Sequence, residues 1–258
     1  MERLTSRRNP LCLHIKKLGE SRRYREESGE FLCDGMKLLE EAVSCGAGVT
    51  AVLTASPVPI PLDVDTRVYY TDRSLINSLS PLKNAQDTLF TCRIPKTGGP
   101  DDVTGAHILL DGVQDPGNVG TIIRTANAFG VKSVILTGGC ADPYNPKTIR
   151  ATMGAIFRQN IHITDVKELA VLREKGVSFV CASPGADGRD IREVSIKDAV
   201  IAIGNEGRGL SDEVLALCDG RINIPMAPGC ESLNAAVAAA IILWETVRSV
   251  ECRVYSEG

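Results

Sequence analysis

Asn223-Ile-Pro-Met-Ala-Pro-Gly-Cys-Glu-Ser-Leu-Asn234, running on into an alanine-rich stretch that ends near Trp244, is the segment around which the chain is organised. It opens as a short strand and breaks at Pro225 and Pro228-Gly229. A helix is expected from Ser232, a residue type whose hydroxyl can take a free backbone N–H at a helix start. Ser232 and Asn234 then stand in the first turn, where unpaired N–H groups and the positive end of the helix dipole favour polar or anionic ligands. Taken alone, the plainer reading is that Ser232 caps the helix and Asn234 is tolerated in its first turn.

Two further stretches shift that balance. Ile203-Gly-Asn-Glu-Gly-Arg-Gly-Leu210 closes the apolar run Ala199-Val-Ile-Ala, and Asp115-Pro-Gly-Asn-Val-Gly-Thr-Ile-Ile-Arg-Thr-Ala-Asn127 follows the strand-like His107-Ile-Leu-Leu-Asp-Gly-Val113. Each is a strand that runs into a glycine-bearing turn and then a helix. Open α/β sheets place ligand loops in this way at their strand ends.

The three stretches, Asn118 to Arg124, Gly204 to Leu210, and Ile224-Pro-Met with Ser232-Leu-Asn234, resemble the three motifs of the SpoU (TrmH) family of RNA 2′-O-ribose methyltransferases. They occur in the family's order over the last three-fifths of the chain. The resemblance implies S-adenosyl-L-methionine as cofactor, bound at Gly204, Ile224 and Leu233, and a catalytic set of Asn118, Arg124, Glu206, Ser232 and Asn234. It also implies the SPOUT α/β-knot fold, a trefoil-knotted parallel sheet with helices on both faces, and a homodimer. Within that resemblance, Arg124 offers a fixed fork of donors to an RNA phosphate and its charge favours a developing alkoxide. Orientation and charge stabilisation rank above base catalysis, because a guanidinium hardly ever releases its proton in a protein. Glu206 is expected to position Arg124 or a loop. Each residue has a plainer reading in isolation: Asn118 as a helix cap, Arg124 as a surface arginine, Glu206 as a turn residue. Their joint occurrence in three strand-end loops argues against it.

Composition sets the frame. The 258 residues, 43% hydrophobic and 24% charged, suffice for one large or two modest cores. No run of eighteen apolar residues and no apolar signal core is present, so a cytoplasmic protein without a membrane segment is expected. Nine scattered cysteines without Cys-x-x-Cys fit a reduced compartment and no metal site. Cys230 lies beside the proposed site but has no recognisable base partner. The net charge of −3 argues weakly against nucleic acid, yet residues 1–25 hold eight basic side chains against Glu2 and Glu20, a local +6 that leaves −9 elsewhere. A basic end on an acidic protein suits RNA held mainly from that end, and is equally a solvated surface.

Along the chain, a basic helix is expected over 9–24, strands at 30–33, 49–54, 67–70 and 88–94, and helices at 36–45 and 72–79. This compact α/β unit, 1–95, resembles an L30e-like RNA substrate-binding domain, with Phe31 to Ala42 as its opening. Pro95 to Gly105 has linker composition, and the boundaries drawn are a linker at 96–105 and a SPOUT methyltransferase domain at 106–258. In that domain strands at 107–112, 133–137, 160–163, 178–182, 199–203 and 221–225 alternate with helices near 118–129, 146–157, 165–175, 211–217 and 232–249. Their apolar runs lack alternation, as in a parallel sheet covered on both faces. The last helix is expected to bury Leu233, Ala236, Val237, Ala240, Ile241 and Trp244. The glycine signatures of a nicotinamide dehydrogenase, a Rossmann methyltransferase and a phosphate-binding loop are absent. The expected substrate is structured RNA, 23S rRNA before tRNA. A tRNA methyltransferase and a non-catalytic RNA-binding ribosome-assembly factor are the alternatives.

Overall fold

The computed structural model describes residues 2–95, 104–183 and 188–254, so most of the linker expected at 96–105 lies outside the described residues. In chain order the elements are β1 (Glu2–Arg3), α1 (Pro10–Glu20), α2 (Arg22–Ser28), β2 (Glu30–Asp34), α3 (Met36–Ser44), β3 (Val49–Thr54), β4 (Arg67–Tyr70), α4 (Arg73–Leu79) and β5 (Thr88–Arg93). There follow β6 (His107–Asp111), α5 (Pro116–Ala128), β7 (Ser133–Leu136), α6 (Pro146–Thr152), β8 (Asn160–Ile163), α7 (Val166–Glu174) and β9 (Ser178–Ala182). The last are β10 (Arg189–Asp190), β11 (Ala199–Gly204), α8 (Asp212–Leu217), β12 (Gly220–Asn223) and α9 (Ala235–Val254). They gather into two compact units, Met1–Lys96 with Asp142–Arg158, and Thr97–Ala141 with Gln159–Gly258.

The first unit is built on a five-stranded sheet in the order β1-β4-β3-β5-β2. Its core joins Cys12, Ile15 and Leu18 of α1 to Leu32, Leu53, Ile76 and Leu89. The basic helix expected over 9–24 is two helices. Ser21 adopts an extended φ of −122°, closes α1 by donating its N–H to the Lys17 carbonyl, and takes the Tyr24 N–H on its side chain to open α2. The break turns Arg25 inward. Its side chain is 3% exposed, bonds Asp142 from Nε at 2.8 Å and Nη2 at 2.5 Å, and gives Nη1 to the Leu18 carbonyl at 2.6 Å. On the sheet's other side Phe31 packs against Tyr144 and Phe157, with ring centroids 5.1 and 6.3 Å away. The helix expected over 146–157 therefore stops at Thr152. Met153 goes left-handed at φ 49°, Gly154 follows at 90°, and a 3₁₀ turn at Ala155–Phe157 aims Phe157 at the sheet.

The second unit is a seven-stranded parallel sheet in the order β10-β12-β9-β11-β6-β7-β8, the parallel α/β sheet expected from the sequence. β6, β7 and β11 are buried along almost their whole length, which is why their sequences are apolar without alternation. The chain steps outward from β6 to β7 and β8, returns on the far side as β9, and then inserts β11 beside β6. Neighbouring strands whose connections leave in opposite directions open a crevice at their carboxyl ends. The register pairs Gly204 with Asp111, so the loops that follow β6 and β11 leave the sheet side by side.

Two expectations for the last helix are corrected. α9 starts at Ala235, because Asn234, not Ser232, takes the first free N–H groups. It buries Ala235, Ala236, Ala239, Ile242, Leu243 and Thr246, while Val237, Ile241 and Trp244 remain 48%, 37% and 49% exposed. From Ala235 to Trp244 the helix is apolar all round, and such a stretch carries no periodicity that selects the buried face.

Candidate active site

The first loop follows β6 and ends in α5. Asp115 caps that helix, its Oδ1 accepting the Asn118 N–H at 2.9 Å, so Asn118 is not the cap and its amide is free for other work. The second loop, 204–210, folds on Asn205. The backbones of Asn205 and Gly209 bond each other twice at 2.9 Å, closing the turn. The Asn205 Oδ1 accepts from the N–H of Gly207 at 2.9 Å and Arg208 at 3.0 Å, and its Nδ2 donates to the Gly112 carbonyl at 2.8 Å, which ties the second loop to the first. A side chain at Gly204 would put its Cβ 2.2 Å from the Gly209 carbonyl carbon and 2.4 Å from the Leu210 nitrogen, so only glycine lets the turn close. Beneath, buried Asp111 accepts from Ser211 N and Oγ, each at 2.7 Å, and from Thr137 Oγ1 at 2.6 Å.

The third loop joins the other two through Asn234. Its Oδ1 accepts the N–H groups of Ala236 and Val237 at 2.9 and 3.3 Å, so its Nδ2 faces outward and donates to Asn118 Oδ1 at 3.0 Å. Asn118 in turn has only its Nδ2 left, and that donates to Glu206 Oε1 at 2.7 Å. Each amide is thus oriented by the one before it, from the α9 N-terminus outward, and the chain ends on a carboxylate that must accept. Three of the five expected catalytic residues, one from each loop, form one hydrogen-bonded line.

Beside this line opens a cavity of about 410 Å³. Gly204, Ile224 and Leu233, the expected cofactor positions, line it, as do Glu206 and Ser232. Ile203, Ile222, Met226 and Ile242 make the apolar wall, and Ser183, Asn205 and Arg208 add polar groups. Arg124 stands apart. It is six residues beyond Asn118 on α5, about 9 Å along the axis by the usual helical rise. It is exposed, outside the cavity lining, and without a hydrogen bond or ion pair among the described residues. The structure therefore brings Asn118, Glu206, Ser232 and Asn234 to one place and leaves Arg124 as a free guanidinium on the neighbouring helix. Cys230 is exposed, and its contact is a long one to the Ser232 carbonyl at 3.8 Å.

Asn205 and Asp111 were not singled out from sequence. An asparagine inside a glycine-rich turn is a signal for self-bonded loop geometry, and it stood within the quoted motif. Asp111 closes an apolar strand and gives no such sign.

Comparison with known proteins places the chain in a family. Residues 105–244 match the model of the SpoU rRNA Methylase family. The chain belongs to that family. Residues 9–89 match the MRM3-like substrate binding domain. The chain is 31% identical, over 95% of its length and 98% of the relative's, to a Bacillus subtilis protein named 23S rRNA (guanosine(2553)-2′-O)-methyltransferase. The crystal structure of an AdoMet-bound rRNA methyltransferase from Sinorhizobium meliloti superposes with a TM-score of 0.86 at 29% identity, covering 96% of this chain and 98% of that one. A TrmH/SpoU tRNA modifying enzyme from A. aeolicus matches less of the molecule, with a TM-score of 0.52 at 30% identity over 57% of this chain and 76% of that one.

Proposed function

We propose that this SpoU-family protein methylates a ribose 2′-hydroxyl in large-subunit ribosomal RNA, with S-adenosylmethionine as methyl donor. The observation that carries the reading is the meeting of three strand-end loops at one cavity through Asn234, Asn118 and Glu206. Ribosomal RNA is favoured over tRNA because the rRNA-methylating relatives match both parts of the chain, whereas the tRNA enzyme covers little more than half.

The cavity suits the cofactor on its own chemistry. Its isoleucines accept the flat face of a base, the glycine turn at 204–209 lets backbone approach closely, and Glu206, Arg208 and Ser232 offer polar partners. Bound there, the cofactor supplies a methyl group on a positively charged sulfur. The chain's own residues do the rest. Gly204, Ile224 and Leu233 hold the cofactor. Asn118, Glu206, Ser232 and Asn234 fix the loops and offer hydrogen bonds to ribose or phosphate, which converts the encounter into an oriented approach. Glu206 is braced by Asn118 rather than spent on Arg124, so the guanidinium of Arg124 keeps its five donors for an RNA phosphate and for the charge developing on the ribose oxygen.

Residues 1–95 act as the RNA-binding module and 106–258 as the methyltransferase. Two copies pair through α9, whose Val237, Ile241 and Trp244 recur at i, i+4 and i+7 and stay exposed, with Trp244 packed on Phe129 at 5.7 Å. The protein works in the cytoplasm, in keeping with the free thiols of its cysteines among the described residues. No helix among the described residues is long and apolar enough to cross a membrane.

Purified protein given tritiated S-adenosylmethionine and unmodified large-subunit rRNA should label ribose 2′-oxygens. Arg124→Ala should abolish labelling while cofactor binding, followed by calorimetry, persists. RNA binding without transfer would replace this reading with the assembly-factor role, and label entering only tRNA would replace the substrate.

A further inference from the structure

The eight basic side chains of residues 1–25 fall into two classes that the sequence does not separate. Four are neutralised within the protein. Arg3 pairs with Asp72 at 2.8 Å, Arg22 with Glu26 at 2.8 Å, Arg23 with Glu27 at 2.7 Å, and Arg25 is buried against Asp142. The other four, Arg7, Arg8, Lys16 and Lys17, are exposed and make no ion pair or side-chain hydrogen bond among the described residues. A carboxylate beside a cation cancels most of the field it offers a phosphate and repels that phosphate, even where the exposed pair itself is weak, whereas a cation with no carboxylate partner keeps its full charge and releases counterions on binding.

The backbone that carries these four is fixed. Arg7 and Arg8 form the tip of a turn closed by the Asn9 N–H on the Ser6 carbonyl at 3.1 Å and the Arg8 N–H on Ser6 Oγ at 3.2 Å. That turn leads directly into α1, whose positive N-terminal end adds to their field. Cys12, Ile15 and Leu18 bury one face of α1, which leaves Leu13, Lys16 and Lys17 together on the other, with Leu13 47% exposed. Lys17 Nζ lies 5.2 Å over the Tyr24 ring, and that ring is fixed by a 2.9 Å bond from its hydroxyl to His14 Nδ1, whose Nε2 meets Glu30 at 2.7 Å. Glu20, one turn beyond Lys16, makes no ion pair with either lysine.

We infer that Arg7, Arg8, Lys16 and Lys17 are the phosphate-contacting surface by which the first unit holds its RNA, and that Arg22 and Arg23, although also exposed, take no part. The inference rests on the RNA-methylating reading. The exposed side chain of Leu13, one turn before the two lysines on α1, adds an apolar contact for a sugar or base edge.

The test compares three variants with the wild type on an in-vitro transcript of large-subunit rRNA: R7Q/R8Q, K16Q/K17Q, and R22Q/R23Q/E26Q/E27Q, which removes two ion pairs without changing net charge. Each of the first two should lower the slope of log binding constant against log salt by about 1.5, from roughly 0.7 to 0.9 per lost phosphate contact. KM for RNA should rise about tenfold or more at 0.15 M salt, with kcat at saturating RNA and the calorimetric cofactor affinity unchanged. The third variant should match the wild type in all four. The assignment fails if the free-cation variants keep the wild-type slope and KM, or if the third variant loses as much as they do. A wild type that binds RNA but transfers no methyl still reports on the surface through its salt slope, and overturns only the enzymatic reading.

Discussion

Asn234→Asp separates two jobs that one amide performs at the head of α9. Aspartate keeps an oxygen for the N–H groups of Ala236 and Val237, and its charge sits well at a helix N-terminus, so helix stability should hold or rise by up to about 1 kcal/mol. What it loses is the donor to Asn118 Oδ1, now 3.0 Å away. Asn118 then faces an acceptor on each side, the new carboxylate at position 234 in place of a donor and Glu206 as before, and its NH₂ lies on one side of the amide, so whichever way the amide turns its oxygen meets the other acceptor. Either the link to position 234 or the 2.7 Å link to Glu206 is broken. One net hydrogen bond is worth about 1 kcal/mol, and a charged acceptor about twice that, so the alignment of Glu206 weakens by roughly 5- to 30-fold in population. Methyl transfer to rRNA at saturating cofactor should fall by a similar factor while the thermal midpoint by circular dichroism stays at or above the wild-type value. Asn234→Ala, lacking both cap and donor, should lose rate and about 1 kcal/mol of stability together. Wild-type transfer by Asn234→Asp, in a fold of wild-type stability, would show that the line of amides has no part in the chemistry.

Other parts of the molecule yield sharper structural tests. Gly204→Ala should abolish cofactor binding in calorimetry, because a Cβ 2.2 Å from the Gly209 carbonyl carbon forces the turn open. Arg25→Met should destabilise the protein by about 3–5 kcal/mol in urea titration by leaving Asp142 as an unpaired, nearly buried charge, and Arg25→Met with Asp142→Leu should recover most of it. The Glu30 carboxyl is held below its usual range chiefly by its hydrogen bond to His14. A depressed folded value stabilises at pH above the unfolded glutamate value of about 4.3 and fades as pH falls through the folded one. Glu30→Gln should therefore flatten the acid limb of a stability profile below pH about 4.5, where the wild type declines, and an unchanged limb would remove Glu30 from that role.

The residues themselves announced the parallel sheet, since unbroken apolar strands such as Ala199 to Ile203 suit only a sheet covered on both faces, and they announced the three loops, since glycine, proline and asparagine at strand ends encode turns locally. The bases for grouping Asn118, Glu206 and Asn234 were legible too, as motif order. Long-range pairing was not. That Glu206 is held by Asn118 and not by Arg124, that Asn234 rather than Ser232 heads α9, and that Arg25 is a buried anchor while Lys17 has no carboxylate partner among the described residues each depend on which carboxylate or N–H the fold brings within about 3 Å. The first ten residues of α9, apolar on all sides, likewise say nothing of which side turns inward, so the helix hid Ile242 and Leu243 and left Trp244 in view only once it was packed in the fold. Local preference is written residue by residue along the chain; partnership is decided by the neighbours that distant segments supply when they fold together.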